Sequence, residues 1–332
     1  MAKKKIKKIV ILGSNSFSAG SFIKSLQKKN FQIIGISRSK INPKKFLSFD
    51  KENKNFSFKK MDINKDLKKI ISLIKKNKPE YIINYASQSM VGQSWDKPID
   101  WYYTNSLSMV RLYYEISKLK FKTKLVHIST PEIYGNIKDI TYENNFYNPT
   151  TPYAASRVTA DQFLSLLYNE KKINYCSVRA SNVYGEYQRL YRIIPKTIFS
   201  IIKRKKINLH GGGISKRNFI HIDDVSLAIL KVMISGKNGS CYHISGNQMI
   251  SIKDLVKKIC NIMNYKFSEL VNVSKERKGK DKYYFLSSKK IRTTLKWRQH
   301  VSLEKGINRC ISWVKNNKKF FNNKDLFYEH KK

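Results

Sequence analysis

Thr130, Glu132, Tyr153 and Arg157 bring a hydroxyl, a carboxylate, a phenol and a guanidinium into one short stretch of the chain. The apolar run Leu125-Val126-His127-Ile128-Ser129 predicts a buried strand, with Thr130-Pro131-Glu132-Ile133-Tyr134-Gly135 at its carboxyl end. After a polar loop, Thr151-Pro152-Tyr153-Ala154-Ala155-Ser156-Arg157 reads as a helix start. Thr151 is the N-cap and Pro152 the first helical position. Tyr153 and Arg157 then lie one turn apart on the same face. A phenol beside a fixed cation suits a tyrosine that acts as a base, because its free pKa is about 10 and a neighbouring positive charge favours the phenolate. A Tyr and an Arg one turn apart are also common on an ordinary surface helix, so the spacing alone leaves both readings open.

The elements around this stretch alternate strand and helix. Ile9-Val10-Ile11-Leu12 ends in Gly13, and an amphipathic helix follows over about Phe17 to Lys29. Strand, tight turn and helix in that order can hold a dinucleotide pyrophosphate on backbone amides at the helix start. A second apolar run, Phe31-Gln32-Ile33-Ile34-Gly35-Ile36, ends at Ser37-Arg38-Ser39-Lys40. An acid there would bind the adenosine ribose hydroxyls; Arg38 and Lys40 in its place favour a pocket for a 2′-phosphate, and so NADP with NAD as the alternative. The competing reading is two more exposed basic residues among many. Further strands are expected at Phe56–Met61, Pro79–Ala86 and Tyr175–Arg179, with a long helix after Pro98 carrying Asn105 and one helix from Gln188 to Lys205. The alternation predicts an α/β chain built on a doubly wound parallel sheet covered on both faces.

The Ser-Thr-x-Glu-x-Tyr-Gly segment followed by Tyr-x-x-x-basic resembles the active site of the extended short-chain dehydrogenase/reductase family. Within it, the nucleotide-sugar 4,6-dehydratases acting on dTDP-glucose or GDP-mannose are the nearest likeness. Their catalytic Thr, Glu and Tyr fall on Thr130, Glu132 and Tyr153. Arg157 stands where the family has Lys, and Pro131 where the dTDP-glucose enzymes carry Asp. The family's Gly-x-x-Gly-x-x-Gly turn is matched by Gly13, Ser16 and Ala19.

The resemblance implies a Rossmann domain over 1–183 with 219–246, and a smaller nucleotide-sugar lobe over 184–218 with 247–332. It implies cofactor contacts at Gly13, Ser16, Phe17, Ser18, Arg38, Asp62, Ile63, Tyr85, Ala86, Tyr153 and Arg157, with Asp62-Ile63 at the adenine. Gln88 and Ser89 would border the sugar. Asn182, in Arg179-Ala180-Ser181-Asn182-Val183-Tyr184-Gly185, would bind the diphosphate with Arg217 and Arg277, since arginine's planar fork takes two oxygens at once. The activity expected is a nucleotide-sugar 4,6-dehydratase dependent on NAD(P). A 4-epimerase or a uronic-acid decarboxylase of the same family is the alternative, and a non-catalytic NADP-sensing regulator the reading of a different class. A homodimer is expected.

The net charge of +43, from 66 Lys and Arg against 23 Asp and Glu, would attract nucleic acid or an anionic surface. The lysines are spread through nearly every segment beside abundant Ile and Asn, with no basic recognition helix, so a specific nucleic-acid partner is not expected. No apolar run reaches the roughly eighteen residues of a membrane helix, so no membrane insertion is expected. Cys176, Cys241, Cys260 and Cys310 form no Cys-x-x-Cys pair, which predicts reduced thiols, no metal site and a cytoplasmic enzyme.

Overall fold

The computed structural model describes residues 6–276 and 285–330. Strand and helix alternate through the first half: β1 (Lys7–Leu12), α1 (Phe17–Gln27), β2 (Phe31–Ser37), β3 (Phe56–Lys60), α2 (Leu67–Asn77) and β4 (Tyr81–Asn84). Next, α3 (Pro98–Tyr102) runs through a π-helical turn at Tyr103–Leu107 into α4 (Ser108–Ser117). Then come β5 (Lys124–Ile128), β6 (Ile140–Thr141), α5 (Pro152–Asn169), β7 (Tyr175–Ala180) and β8 (Asn182–Tyr184). The remainder is α6 (Ile193–Ile202), β9 (Ile207–His210), β10 (Lys216–His221), α7 (Ile222–Ser235), β11 (Ser240–Ile244), β12 (Met249–Ser251) and α8 (Ile252–Ile262). It closes with α9 (Phe267–Leu270), β13 (Val271–Ser274), β14 (Phe285–Leu286), α10 (Lys289–Leu295) and α11 (Leu303–Asn317).

Seven strands form one parallel sheet in the order β11-β7-β5-β4-β1-β2-β3. A strand at the centre of such a sheet has no solvent face, and Ile9, Val10, Ile11 and Leu12 are all fully buried. Their side chains alternate between two cores. Ile9 and Ile11 pack with Phe22 and Leu26 of α1 and Val232 and Met233 of α7. Val10 and Leu12 pack with Ile70 of α2, Leu112 of α4 and Leu164 of α5. This is the doubly wound α/β sheet that the alternation predicts.

A third core joins Ile198 and Phe199 of α6, Leu255 and Ile259 of α8, and Trp313 and Val314 of α11. Phe46, from the loop after β2, is buried in this core, so that loop reaches over to the second half of the chain. Asn182 of β8 pairs with Phe219 of β10 in a small separate sheet.

Two helix expectations are corrected. The helix expected over Gln188 to Lys205 begins only at Ile193, with Arg192 as N-cap. The preceding residues are held as a loop by bonds that a helix would break. Gln188 Nε2 donates to the Val183 carbonyl at 2.9 Å, and Arg189 donates to Asn42 Oδ1 at 2.7 Å. Pro195 fits because the first helical turn needs no intrahelical N–H donor. The long helix after Pro98 is interrupted at Asn105, which bonds sideways to Gln88 and to α5 in the π turn, a feature often found at functional sites.

Candidate active site

β1 has β2 on one side and β4 on the other, so the chain order reverses between β1 and β4 and a crevice opens at their carboxyl ends. Gly13 sits there at φ +75°, where a Cβ would stand 2.6 Å from the Ala86 amide nitrogen. Its own amide bonds the Ile36 carbonyl at 2.8 Å, so the ends of β1, β2 and β4 meet at backbone contact. Ser16 has φ −71°, which any residue adopts, and its Oγ caps α1 by accepting from Ala19 N at 3.2 Å. The amides of Phe17 and Ser18 start the helix and have no intrahelical carbonyl to bond. With no acidic residue in that first turn, they suit phosphate oxygens.

Asn15, which sequence reasoning missed, ties this turn to the loop after β2. Its Nδ2 donates to the Ser39 and Lys40 carbonyls at 3.1 and 2.8 Å, and Asn42 donates to the Asn15 carbonyl at 2.6 Å. Arg38 is half-buried just before that loop. Asp62 accepts from the Asn64 amide at 2.9 Å and Ile63 is buried, both in the turn after β3. Tyr85 is buried at the end of β4, and the Ala86 amide donates to Asn84 Oδ1 at 2.9 Å.

Asn105 holds both backbone groups of Gln88: its Oδ1 accepts from Gln88 N at 2.8 Å and its Nδ2 donates to Gln88 O at 3.0 Å. The same Nδ2 reaches Ser156 Oγ on α5 at 3.0 Å, fixing the Gln88 segment against the helix that carries Tyr153. Gln88 is buried and Ser89 exposed.

Thr130 ends β5 in extended conformation and is followed by a 3-10 turn with Pro131 at its first position. Pro131 presets that turn. The turn directs Glu132 back so that Thr130 Oγ1 donates to its carboxylate. Tyr153, buried on the first turn of α5, lies near enough to the same hydroxyl for Thr130 to lower the phenol's pKa. Thr151 caps α5 as expected, its Oγ1 accepting from Ala154 N at 3.1 Å. Arg157, also buried, donates to the Ile128 carbonyl of β5. The strand end and the helix start therefore bring Thr130, Glu132, Tyr153 and Arg157 together.

The electrostatics correct one expectation. Burial pushes the Tyr153 phenol above its usual pKa and the Glu132 charge adds to that, while Arg157, Thr130 and Arg192 oppose without prevailing. Arg157 thus acts with the expected sign, but desolvation of the phenolate is the larger effect. Arg192, the α6 N-cap, is a second cation at Tyr153 that sequence reasoning missed; its only signal is its place shortly after the Asn182 segment.

Asp161 was missed too, although it continues the Tyr153–Arg157 face by one further turn. It accepts from Ser129 Oγ and lies 3.7 Å from Arg179 NH2, both groups buried. His127 stands beside it, its imidazole driven down to about 3 by burial. This buried polar cluster fastens the end of β5, where Thr130 begins, to α5 and β7.

Asn182 is half-buried, and Arg217 is buried on the neighbouring β10, two residues before the Phe219 that Asn182 faces. Arg217 NH1 donates to the Lys216 carbonyl at 2.8 Å. Arg277 lies outside the described residues. Among the described residues no group of His, Cys, Asp and Glu could hold a metal ion, and no helix is long and apolar enough to cross a membrane.

The crevice suits a dinucleotide. A tight glycine turn leads to open helix amides, and Asn15 Oδ1 and Arg157 Nε are buried with no protein partner. Buried polar atoms left unpaired in a folded chain call for a bonding group from elsewhere.

The family model for GDP-mannose 4,6 dehydratase matches residues 11–310. The chain is 29% identical to the dTDP-D-glucose 4,6-dehydratase of Homo sapiens, over 94% of this chain and 91% of that protein. Its fold is similar to that of the dTDP-glucose 4,6-dehydratase DesIV of Streptomyces venezuelae, solved with NAD bound. That match has a TM-score of 0.84 and 23% identity over 95% of this chain and 98% of the other. It is also similar to a UDP-glucuronic acid 4-epimerase of Bacillus cereus, solved with UDP-glucuronic acid and NAD, at TM-score 0.84 and 23% identity over 93% and 99%. At these identities the solved structures bear on the fold alone, and they share the doubly wound sheet.

Proposed function

The chain belongs to the GDP-mannose 4,6-dehydratase family, and we propose that it is a nucleotide-hexose 4,6-dehydratase that uses NADP. The observation that carries this reading is the grouping of Thr130, Glu132 and Tyr153 just beyond β5: Thr130 Oγ1 donates to the Glu132 carboxylate, and both residues act on the Tyr153 phenol. An epimerase needs the phenol but has little use for that carboxylate.

Tyr153, as phenolate, takes the proton of the sugar C4 hydroxyl, and Thr130 hydrogen-bonds that oxygen. A dinucleotide held at the glycine turn and the α1 amides would supply the redox chemistry, as acceptor of hydride from C4 and donor of hydride to C6. A 4-ketone acidifies the C5 hydrogen, and Glu132 removes that proton as general base. Pro131 has no proton to give, so Glu132 passes the proton it has gained to the C6 hydroxyl, which leaves as water. A proton regained by Glu132 then closes C5. Arg157 places its guanidinium on the Tyr153 face of α5, where it lowers the phenol's pKa. Asn182, Arg217 and Arg277 are assigned to the diphosphate and Gln88 and Ser89 to the sugar. Gly13, Ser16, Phe17, Ser18, Asp62, Ile63, Tyr85 and Ala86 are assigned to the dinucleotide. The Rossmann domain would be 1–183 with 219–246 and the sugar-nucleotide lobe 184–218 with 247–332.

A panel of nucleotide hexoses incubated with the protein and followed by mass spectrometry should give one substrate that loses water. Loss of carbon dioxide, epimerisation without mass change, or no turnover across the panel would sink the dehydratase reading.

NADP rather than NAD is supported by Arg38 at the end of β2, where an acid would bind the ribose hydroxyls. NADP should bind at least several-fold more tightly than NAD, and Arg38→Asp should flatten or reverse the order in a titration by tryptophan fluorescence. Tighter NAD binding by the unmutated chain would reject this choice.

A homodimer is supported by an exposed apolar stripe along α3 and α4: Ile99, Tyr103, Leu107 and Tyr114, with Leu166 exposed on α5. One face of a helix left apolar is costly in water unless a second copy covers it. Sedimentation equilibrium should return twice the chain mass, and Leu107→Glu should shift it toward the monomer; an unmutated monomer would contradict the proposal. A cytoplasmic setting fits the four free cysteines, three of them buried.

A further inference from the structure

Beyond α11 the chain packs on the third core as far as Leu326 and then reaches α3. Phe321 is buried against Phe46, Phe199 and Trp313, with ring centroids at 5.7, 5.8 and 5.3 Å. Lys45, in the loop after β2, donates to the Phe320 carbonyl at 3.0 Å and to Asp325 Oδ2 at 2.7 Å. Asp325 also closes a capping box with Asn322, which fixes the turn from which the next residues extend. Tyr328 then meets Tyr191 edge-to-face at 5.4 Å. His330 ends the described segment on α3: its Nε2 is 2.8 Å from Asp100 Oδ2, and its ring stacks on the fully buried Trp101 at 4.9 Å and 15°.

Each anchor point adjoins, along the chain, a segment assigned to the site. The loop holding Lys45 follows Arg38, the residue assigned to the nucleotide end. Tyr191 precedes Arg192, whose charge reaches the Tyr153 phenol. α3 follows the Gln88–Ser94 segment on the sugar side. The segment just before Tyr191 is tied to the glycine turn, because Arg189 donates to Asn42 Oδ1 at 2.7 Å and Asn42 donates to the Asn15 carbonyl at 2.6 Å.

We infer that residues 318–330 form a strap across the mouth of the cleft that retains the dinucleotide between turnovers, latched by His330 on Asp100 and Trp101. The inference rests on the proposed reaction, in which hydride borrowed at C4 is returned at C6, so that the dinucleotide has no need to leave. A strap would be a hindrance in an enzyme that exchanges its cofactor every cycle. Here it removes a route by which the enzyme would lose activity.

The test is the rate at which pre-bound NADPH, and separately NADH, is displaced by excess oxidised dinucleotide, read from the fluorescence of the reduced form. His330→Ala and a chain shortened after Leu326 should each release the reduced dinucleotide about tenfold faster or more, the effect of losing one charge-assisted bond and one ring stack. His330→Phe keeps the stack on Trp101 and should fall between. Asp100→Asn supplies the same comparison with the strap intact, should the shortened chain fail to fold. Release within about twofold of the unmutated rate in both His330→Ala and Asp100→Asn would overturn the strap. Displacement needs no sugar substrate, so failure of the dehydratase reading, seen in the nucleotide-hexose panel, is a separate result from failure of the strap.

Discussion

Glu132→Gln stops the reaction after its first half. The substitution keeps the shape and the hydrogen bond from Thr130 but removes the carboxylate beside that hydroxyl and the Tyr153 phenol. In the proposed mechanism, oxidation at C4 uses Tyr153 and Thr130 and not Glu132, so it should proceed. Removal of the C5 proton does require it, and losing a general base costs about a hundredfold to ten-thousandfold in rate. With the correct nucleotide hexose, the reduced dinucleotide should therefore accumulate in the variant, visible by its near-ultraviolet absorbance, while product formation falls by that factor. In deuterated water the unmutated enzyme should place deuterium at C5 of the product, because Glu132 exchanges with solvent once the C6 water has left. Unchanged turnover in Glu132→Gln, or product free of solvent deuterium at C5, would remove Glu132 from the role assigned to it.

Tyr153→Phe fails earlier. Without the phenolate nothing accepts the C4 hydroxyl proton, so the reduced dinucleotide should not appear and the overall rate should drop by about a hundredfold or more. Normal binding of the nucleotide hexose to this variant, measured by calorimetry, would place the loss in the chemical step. The pH profile carries a second, signed expectation. Burial raises the Tyr153 pKa and Arg157 lowers it, so the active phenolate form is gained as pH rises. Removing the cation in Arg157→Gln raises the pKa further and should move the ascending limb of kcat/KM to higher pH, whereas Arg157→Lys should leave it near its original position. A limb that stays in place in Arg157→Gln would mean that a group other than Tyr153 titrates there.

Much of the scaffold was legible because its causes are local. Strand runs such as Ile9–Leu12 have to be buried on both faces, and their apolar composition says so directly. Thr151-Pro152 marks the start of α5 because a hydroxyl cap and a preset φ act within one turn. That start puts Tyr153 and Arg157 on one face whatever the rest of the chain does. The failures came where partners are distant in sequence. Gln188 and Arg189 lie just ahead of α6, yet they bond to Val183 and Asn42, and those bonds keep the segment a loop. No periodicity announces that the Asn105 side chain will turn sideways to hold Gln88, because the benefit lies in satisfying a buried peptide group from another segment.

By itself, then, the sequence determined the parallel α/β framework, the strand-end hydroxyl and carboxylate, and the phenol one helical turn from a cation. Each is written in patterns a few residues long. Only the tertiary structure decided the state of that phenol. Its pKa depends on the water excluded by the whole fold, and at Tyr153 that burial outweighs the nearby charge of Arg157. The tertiary structure alone also decided that the Arg192 charge would lower the Tyr153 pKa, that Asp161 would fasten β5 through Ser129, and that His330 would lie on Trp101. Such contacts join parts of the chain that no local pattern relates, and they exist because closing the cores brings those parts together.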